Sequence, residues 1–131
     1  MKPSRFMRAR AMLRAYSKLI SFESCLARDD FAGLYHRVRT LPVANRTFHD
    51  STTKQVCEAV DLACVFYWKE VLCLQRSAAT TCLLRQNGVP AHLVLGAQQL
   101  PFKSHAWVEV KGEVVNDKSH VQEIYAVLDR C

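Results

Sequence analysis

Three side chains in the second half of the chain have the chemistry of an acyl-transfer centre: the thiol of Cys73, the imidazole of His105 and the carboxylate of Asp117. A thiolate can attack a carbonyl carbon, and a neutral imidazole can take the thiol proton and return it to a leaving amine. A carboxylate bonded to the far ring nitrogen holds the imidazole in the useful tautomer. The placement of Cys73 adds to this. It opens a run to about Gln86 in which Leu74, Ala78 and Cys82, and also Ala79 and Leu83, recur at helical spacing. Unpaired N–H groups and the dipole at a helix start stabilise a thiolate, and the same N–H groups can hold the oxyanion formed on attack.

Each of these residues also has an ordinary structural reading. A Cys near a helix start is more often a core thiol, because free Cys is among the most buried residue types. With five histidines in the chain, any single one is more often structural or exposed than catalytic. His92, inside an apolar stretch, reads as a satisfied core residue, and His36, His49 and His120 sit in poorly periodic stretches. Asn116-Asp117 is also a favoured pair for a turn after a strand. Trp107, two positions after His105, could shield the site, although aromatic core packing is the commoner role.

These groups matter only if the intervening elements bring them together. Phe6, Ala9, Leu13, Tyr16 and Ile20 predict an amphipathic helix through about Phe22. Asp29 and Asp30 start a short second helix through Leu34 and Val38, and Thr40 to Asp50, with Pro42 and Asn45, reads as a loop. Ser51, Thr52 or Thr53 is suited to cap a third helix that carries Val56, Val60, Ala63, Cys64 and Tyr67 to about Glu70. Cys57 and Cys64, on that helix, read as packing residues. The helix from Cys73 stops at Asn87-Gly88, a left-handed cap signal, and Pro90 blocks a restart. Ala91 to Gly96 reads as a buried strand. His105 to Val110 reads as a strand with Ala106, Val108 and Val110 on one face, and Glu113 to Asn116 as its partner. Tyr125 to Arg130 reads as a last strand or turn. Helices followed by strands predict an α+β fold with an antiparallel sheet. We expect one domain over 1–131, with residues 1–70 as its helical part and 71–131 as catalytic helix and sheet.

The hairpin supplies a geometric condition. A tight two-residue turn at Lys111-Gly112 sets Ala106 opposite Asp117 and turns Asp117 away from His105. A three-residue loop, Val110-Lys111-Gly112 with Gly112 left-handed, sets His105 opposite Asp117 on the same side. A working triad therefore predicts the three-residue loop or an equivalent bulge. With a tight turn, Asp117 has to lie beyond regular pairing.

Composition bounds the alternatives. The 131 residues suit one domain able to bury a full core. Half the residues are hydrophobic and 23% are charged, which is globular rather than disordered composition. The formal charge is +6, much of it from Lys2, Arg5, Arg8, Arg10, Arg14 and Lys18. Such a face is most often solvated or protein-docking; a nucleic-acid role has the Arg-rich helix as its only support. The six cysteines form no C-x-x-C pair and no Cys/His spacing matches a zinc site, so no zinc site is expected. The early residues are interrupted by charge throughout, so no signal peptide is read, and no stretch is long and apolar enough to span a bilayer. The expected setting is a reducing cytoplasm with free thiols.

The runs Cys73-Leu-Gln-Arg-Ser77, Leu83-Leu-Arg-Gln-Asn-Gly-Val-Pro-Ala91, Pro101-Phe-Lys-Ser-His-Ala-Trp-Val-Glu109 and Val115-Asn-Asp117 resemble the transglutaminase-like superfamily. More closely, they resemble the stand-alone leader peptidase of bacterial lasso-peptide biosynthesis. The resemblance is strong from about residue 70 to 130, and the helical front half matches only in general character. It implies a papain-like cysteine peptidase core with Cys73, His105 and Asp117 as its triad, acting without a cofactor. It also implies a ribosomally made precursor peptide as substrate, cut between leader and core, and a separate leader-recognition protein as partner. The lasso cyclase, which takes up the freed amine, is a further candidate partner. Two alternatives share the fold: an acyltransferase that passes the acyl group to an amine, and a peptide-binding module without catalysis. Nucleic acid and membrane are not expected partners.

Overall fold

The computed structural model describes residues 4–131. Five helices, α1 (Arg5–Ala27), α2 (Phe31–Thr40), α3 (Asp50–Phe66), α4 (Cys73–Gln86) and α5 (Val121–Ile124), accompany four strands. The strands are β1 (Ala91–Gln98), β2 (Lys103–Val110), β3 (Glu113–Val114) and β4 (Ala126–Arg130). They form one antiparallel sheet in the order β3-β2-β1-β4. This is the α+β arrangement expected from helices followed by strands.

α4 is the central element. From Ser77 to Arg85 every residue is buried. A helix enclosed on all sides needs small residues where neighbours come close, and Ser77-Ala-Ala-Thr-Thr81 supplies them. The two threonine hydroxyls donate back to carbonyls one turn earlier, Thr80 to Arg76 at 2.8 Å and Thr81 to Ser77 at 2.9 Å, so neither is orphaned in the core. α1, α2 and α3 pack on α4 with Leu19, Phe22, Leu34, Val38, Val60 and Ala63, while Leu93 and Ala106 come from the sheet. The helix closes on Gly88 at φ +87, and a side chain there would strike the carbonyl oxygen of Arg46. Arg85, buried, donates to the carbonyls of Ala91, Val38, Leu41 and Cys131, joining the α2–α3 loop to the sheet.

Several boundaries differ from those read in the sequence. α1 continues past Phe22 to Ala27, because Cys25 extends the buried stripe of Ala15, Leu19 and Phe22. α3 stops at Phe66 rather than near Glu70. Tyr67 turns extended, and its hydroxyl donates to Glu23 Oε2 on α1 at 3.1 Å. The start of α3 is not capped from Ser51, Thr52 or Thr53 as N-cap. The helix begins earlier, at Asp50, and Thr52 instead reaches back to accept the N–H of His49 at 3.2 Å. His92 is exposed, with Nδ1 3.3 Å from the Cys131 carbonyl oxygen, and is not a core residue. β2 is buried on both sides, because Ala106 and Val108 face the helices while Trp107 packs with Val94 and Val121.

Candidate active site

Cys73 is the first residue of α4 and is exposed. Burial pushes the thiols of Cys64 and Cys82 up, and that of Cys57 up to about 11. α4 lies along β2 in the same direction. Ser77 Oγ donates to the Ala106 carbonyl at 3.1 Å, and Leu84, a further two turns on, packs with Val108 and Val110. Extending α4 backwards from Ser77 by one turn brings Cys73 toward the His105 end of β2.

His105 pairs with Gly96 of β1 and is partly exposed. Its Nε2 lies 2.6 Å from Asp117 Oδ2. That contact commits Nε2 to the carboxylate and leaves Nδ1 as the ring nitrogen able to face a thiol. Burial works against the Asp117 charge. The His105 hydrogen bond, the Lys118 N–H at 2.7 Å, and the His105 and Arg76 charges nonetheless hold its carboxyl below the usual range. The imidazole is flanked by Tyr125, ring centres 5.2 Å apart, and by Trp107 at 6.1 Å. Gly96 makes room for both: a Cβ there would lie 2.6 Å from the Trp107 ring and 2.9 Å from Tyr125.

The hairpin overturns the three-residue loop. Val110 pairs with Glu113 and Glu109 with Val114, so Lys111-Gly112 is a two-residue turn, both with positive φ, 53° and 79°. Asp117 nonetheless meets His105, because regular pairing stops before it. Val115 N–H still donates to Val108 O at 3.0 Å, but the Val108 N–H goes to the Asn116 side-chain oxygen, at 2.8 Å, instead of to a strand carbonyl. Asn116 Nδ2 donates to Ser77 Oγ at 3.0 Å, and Arg76 donates to the Asn116 carbonyl. The amide thus replaces one rung of the ladder, and the backbone after it is free of the register that would point Asp117 away.

Asn116 and Tyr125 are the site residues that reading the sequence did not single out. The available signal for Asn116 was an Asn-Asp pair placed just after a two-residue turn. Tyr125 had only its position before the last strand. Trp107 takes the core-packing role: it is fully buried and donates from Nε1 to Glu109 at 2.8 Å, with its ring 6.1 Å from that of His105. Gln75 and Ser77 are buried tethers. Gln75 Nε2 donates to the Leu19 carbonyl at 2.9 Å and Glu23 at 3.0 Å, fixing the first turn of α4 to α1.

The arrangement holds an imidazole against a carboxylate at the end of β2 toward which a helix start with an exposed thiol points. Among the described residues, no three His, Cys, Asp or Glu side chains converge as a metal site, and no helix is long and apolar enough to cross a membrane. No solved structure matches the chain. The microcin J25-processing protein McjB of Escherichia coli is 41% identical over 56 residues, covering 43% of this chain and 27% of McjB. The matched part is thus about a quarter of that relative's length. The profile of the Transglutaminase-like superfamily matches residues 17–129, a span that holds Cys73, His105 and Asp117, and the chain belongs to that superfamily.

Proposed function

We propose that the chain is a cysteine peptidase that removes the leader from a ribosomally made lasso-peptide precursor, with Cys73, His105 and Asp117 as its triad. The observation that carries this is the His105–Asp117 contact at 2.6 Å, made at the end of β2 toward which the start of α4 points. His105 Nδ1 takes the proton from Cys73, and the thiolate attacks the scissile carbonyl. N–H groups at the first turn of α4 hold the oxyanion. The protonated imidazole then gives its proton to the departing core amine, leaving an acyl-enzyme. Water, deprotonated by the same ring, releases the leader and restores the thiol. Asp117 keeps Nε2 occupied throughout and balances the imidazolium.

The similarity to a microcin J25-processing protein supports a peptide precursor as the substrate. A separate leader-recognition protein presents it, in a reducing cytoplasm, and the described helices and sheet work as one catalytic domain. The test is to mix the chain with its cognate precursor, with and without the recognition protein, and weigh the products. Cleavage at one bond, enhanced by the partner and reduced at least about 1,000-fold by Cys73→Ala, is expected. An intact precursor in every mixture, with folded protein, overturns the peptidase reading. A product mass that shows an amine joined to the leader identifies an acyltransferase instead.

A further inference from the structure

A concave surface lies away from the proposed triad, along the seam where α1 meets α3. It encloses about 600 Å³, with the faces of both helices and the C-terminal end of α4 as its walls. Its apolar lining includes Ala11, Val56 and Ala59 deep in the seam, with Met7 and Leu62 nearer solvent. Met7 is 60% and Leu62 43% exposed, a large apolar area to leave in water next to a groove. Arg8, Arg10, Arg14 and Arg46 line the same groove, against one carboxylate, Glu58. Among the described residues none of the four guanidiniums makes an ion pair.

We propose that this groove receives an acidic amphipathic helix carried by a partner protein. An apolar trough between two helices fits the apolar stripe of a third, read as anchors at i, i+3, i+4 and i+7. The flanking guanidiniums then meet carboxylates on the flanks of that stripe, where bidentate pairing gives orientation as well as attraction. The concavity disfavours a bilayer, which presents a flat surface and is better met by a convex apolar face. The apolar trough and Glu58 disfavour a phosphate backbone, which needs a continuous cationic track. The inference does not depend on the triad, so its failure leaves the peptidase reading untouched.

The test is fluorescence anisotropy of the full chain with a labelled peptide of about 18 residues, Leu at i, i+3, i+4 and i+7 and Glu at most other positions. Saturable binding is expected. Leu62→Glu should weaken it at least about tenfold, as should the pair Arg14→Glu and Arg46→Glu. Lys103→Glu, at the start of β2, should leave it unchanged, and so should Cys73→Ala. A scrambled peptide of equal composition should bind at least about tenfold more weakly. Far-UV circular dichroism checks each variant, and the exposed arginine pair serves if Leu62→Glu misfolds. Equal binding of ordered and scrambled peptides overturns the proposal, as does insensitivity to the groove variants. If phosphatidylglycerol vesicles or duplex DNA bind through these arginines while the peptide does not, the proposal also fails.

Discussion

The starts of the four long helices differ in how they settle their free N–H groups. α1 is closed by Ser4, whose Oγ accepts from Met7 N–H at 3.2 Å, and α2 by Asp30, which accepts from Gly33 N–H at 2.9 Å. α3 closes through the reciprocal bonds of His49 and Thr52. α4 starts after Leu72, and among the described residues no side chain caps it. A missing cap costs about 1 kcal/mol, so a protein that caps three helices and not the fourth forgoes stability at that end. The open end carries Cys73, and the groups proposed to act with it come from another part of the chain: His105 on β2 and Asp117 beyond β3. Capped starts are self-contained. In the proposed triad the α4 start is half of an arrangement, and α4 is tied to the sheet side by Ser77, Arg76 and Asn116.

The strongest way to break this contrast is to leave α4 intact and disable its answering half. Asp117→Asn keeps the shape but lets Nε2 accept a proton donor instead, so the ring adopts the wrong tautomer. Precursor turnover should fall about 10²–10⁴-fold, with the thermal midpoint nearly unchanged. Steady-state cleavage assays and a melting curve read both. If turnover persists within threefold, Asp117 does not orient the base and the triad assignment fails.

Asn116→Ala tests the same half one step back. It leaves the buried Val108 N–H without its partner, removes the hydrogen bond that Ser77 Oγ accepts, and releases the backbone that carries Asp117. We expect a loss of about 10- to 100-fold in turnover, together with about 1–3 kcal/mol of stability. The low-field imidazole N–H resonance of His105 in proton NMR separates the two effects. It should weaken in Asn116→Ala at temperatures where the fold is intact, whereas a purely structural role leaves it unchanged.

Thiol reactivity compares α4 with α3 directly. Cys73 is exposed at a helix start, and Cys57 sits within a helix where burial pushes its thiol up to about 11. At pH 8 a thiol of that kind is ionised to about one part in a thousand. Iodoacetamide should modify Cys73 at least about tenfold faster than Cys57, as read by peptide mass mapping, and activity should vanish in step with Cys73 labelling. Equal rates for the two would remove the claim that the open start matters.

How much of this was legible in the sequence follows from the range of the forces involved. Local signals were read well. The bounds of α4, Cys73–Gln86, follow from its small-residue periodicity and the Gly88 and Pro90 stops, and Asp30 caps α2 as its neighbours suggest. The meeting of His105 and Asp117 was also visible, because both stand near element ends. In the loop that joins them, the favoured three-residue form gave way to the tight-turn alternative, with Asp117 beyond regular pairing. The loop's register depends on whether Asn116 gives its side chain or its backbone to Val108, and that choice is made by Ser77 and Arg76 some forty residues earlier. Tyr125 was invisible as a neighbour of His105 because its place depends on β4 joining β1 across a bulge at Leu95/Gly96. His92 was misjudged because an apolar run can sit in a strand with one face open to water.

The smallest expected effect sharpens the contrast most, since it separates stability from function at one residue. Leu72 is the uncapped N-cap position of α4 and is 54% exposed, so it can be replaced without opening the core. Leu72→Asp supplies an acceptor for the N–H of Leu74 or Gln75 and a negative charge at the positive end of the helix dipole. Both act to stabilise α4, by about 0.5–2 kcal/mol. The same charge stands next to Cys73, where it opposes the thiolate and the oxyanion. Turnover should drop several-fold to about tenfold, and Cys73 labelling should slow in parallel, while the chain melts at a higher temperature. Ser4→Ala is the matched control at α1: it should lower stability by about 1 kcal/mol and leave turnover alone. Leu72→Asp stabilising the chain with turnover unchanged would mean that the open start of α4 contributes nothing to the reaction.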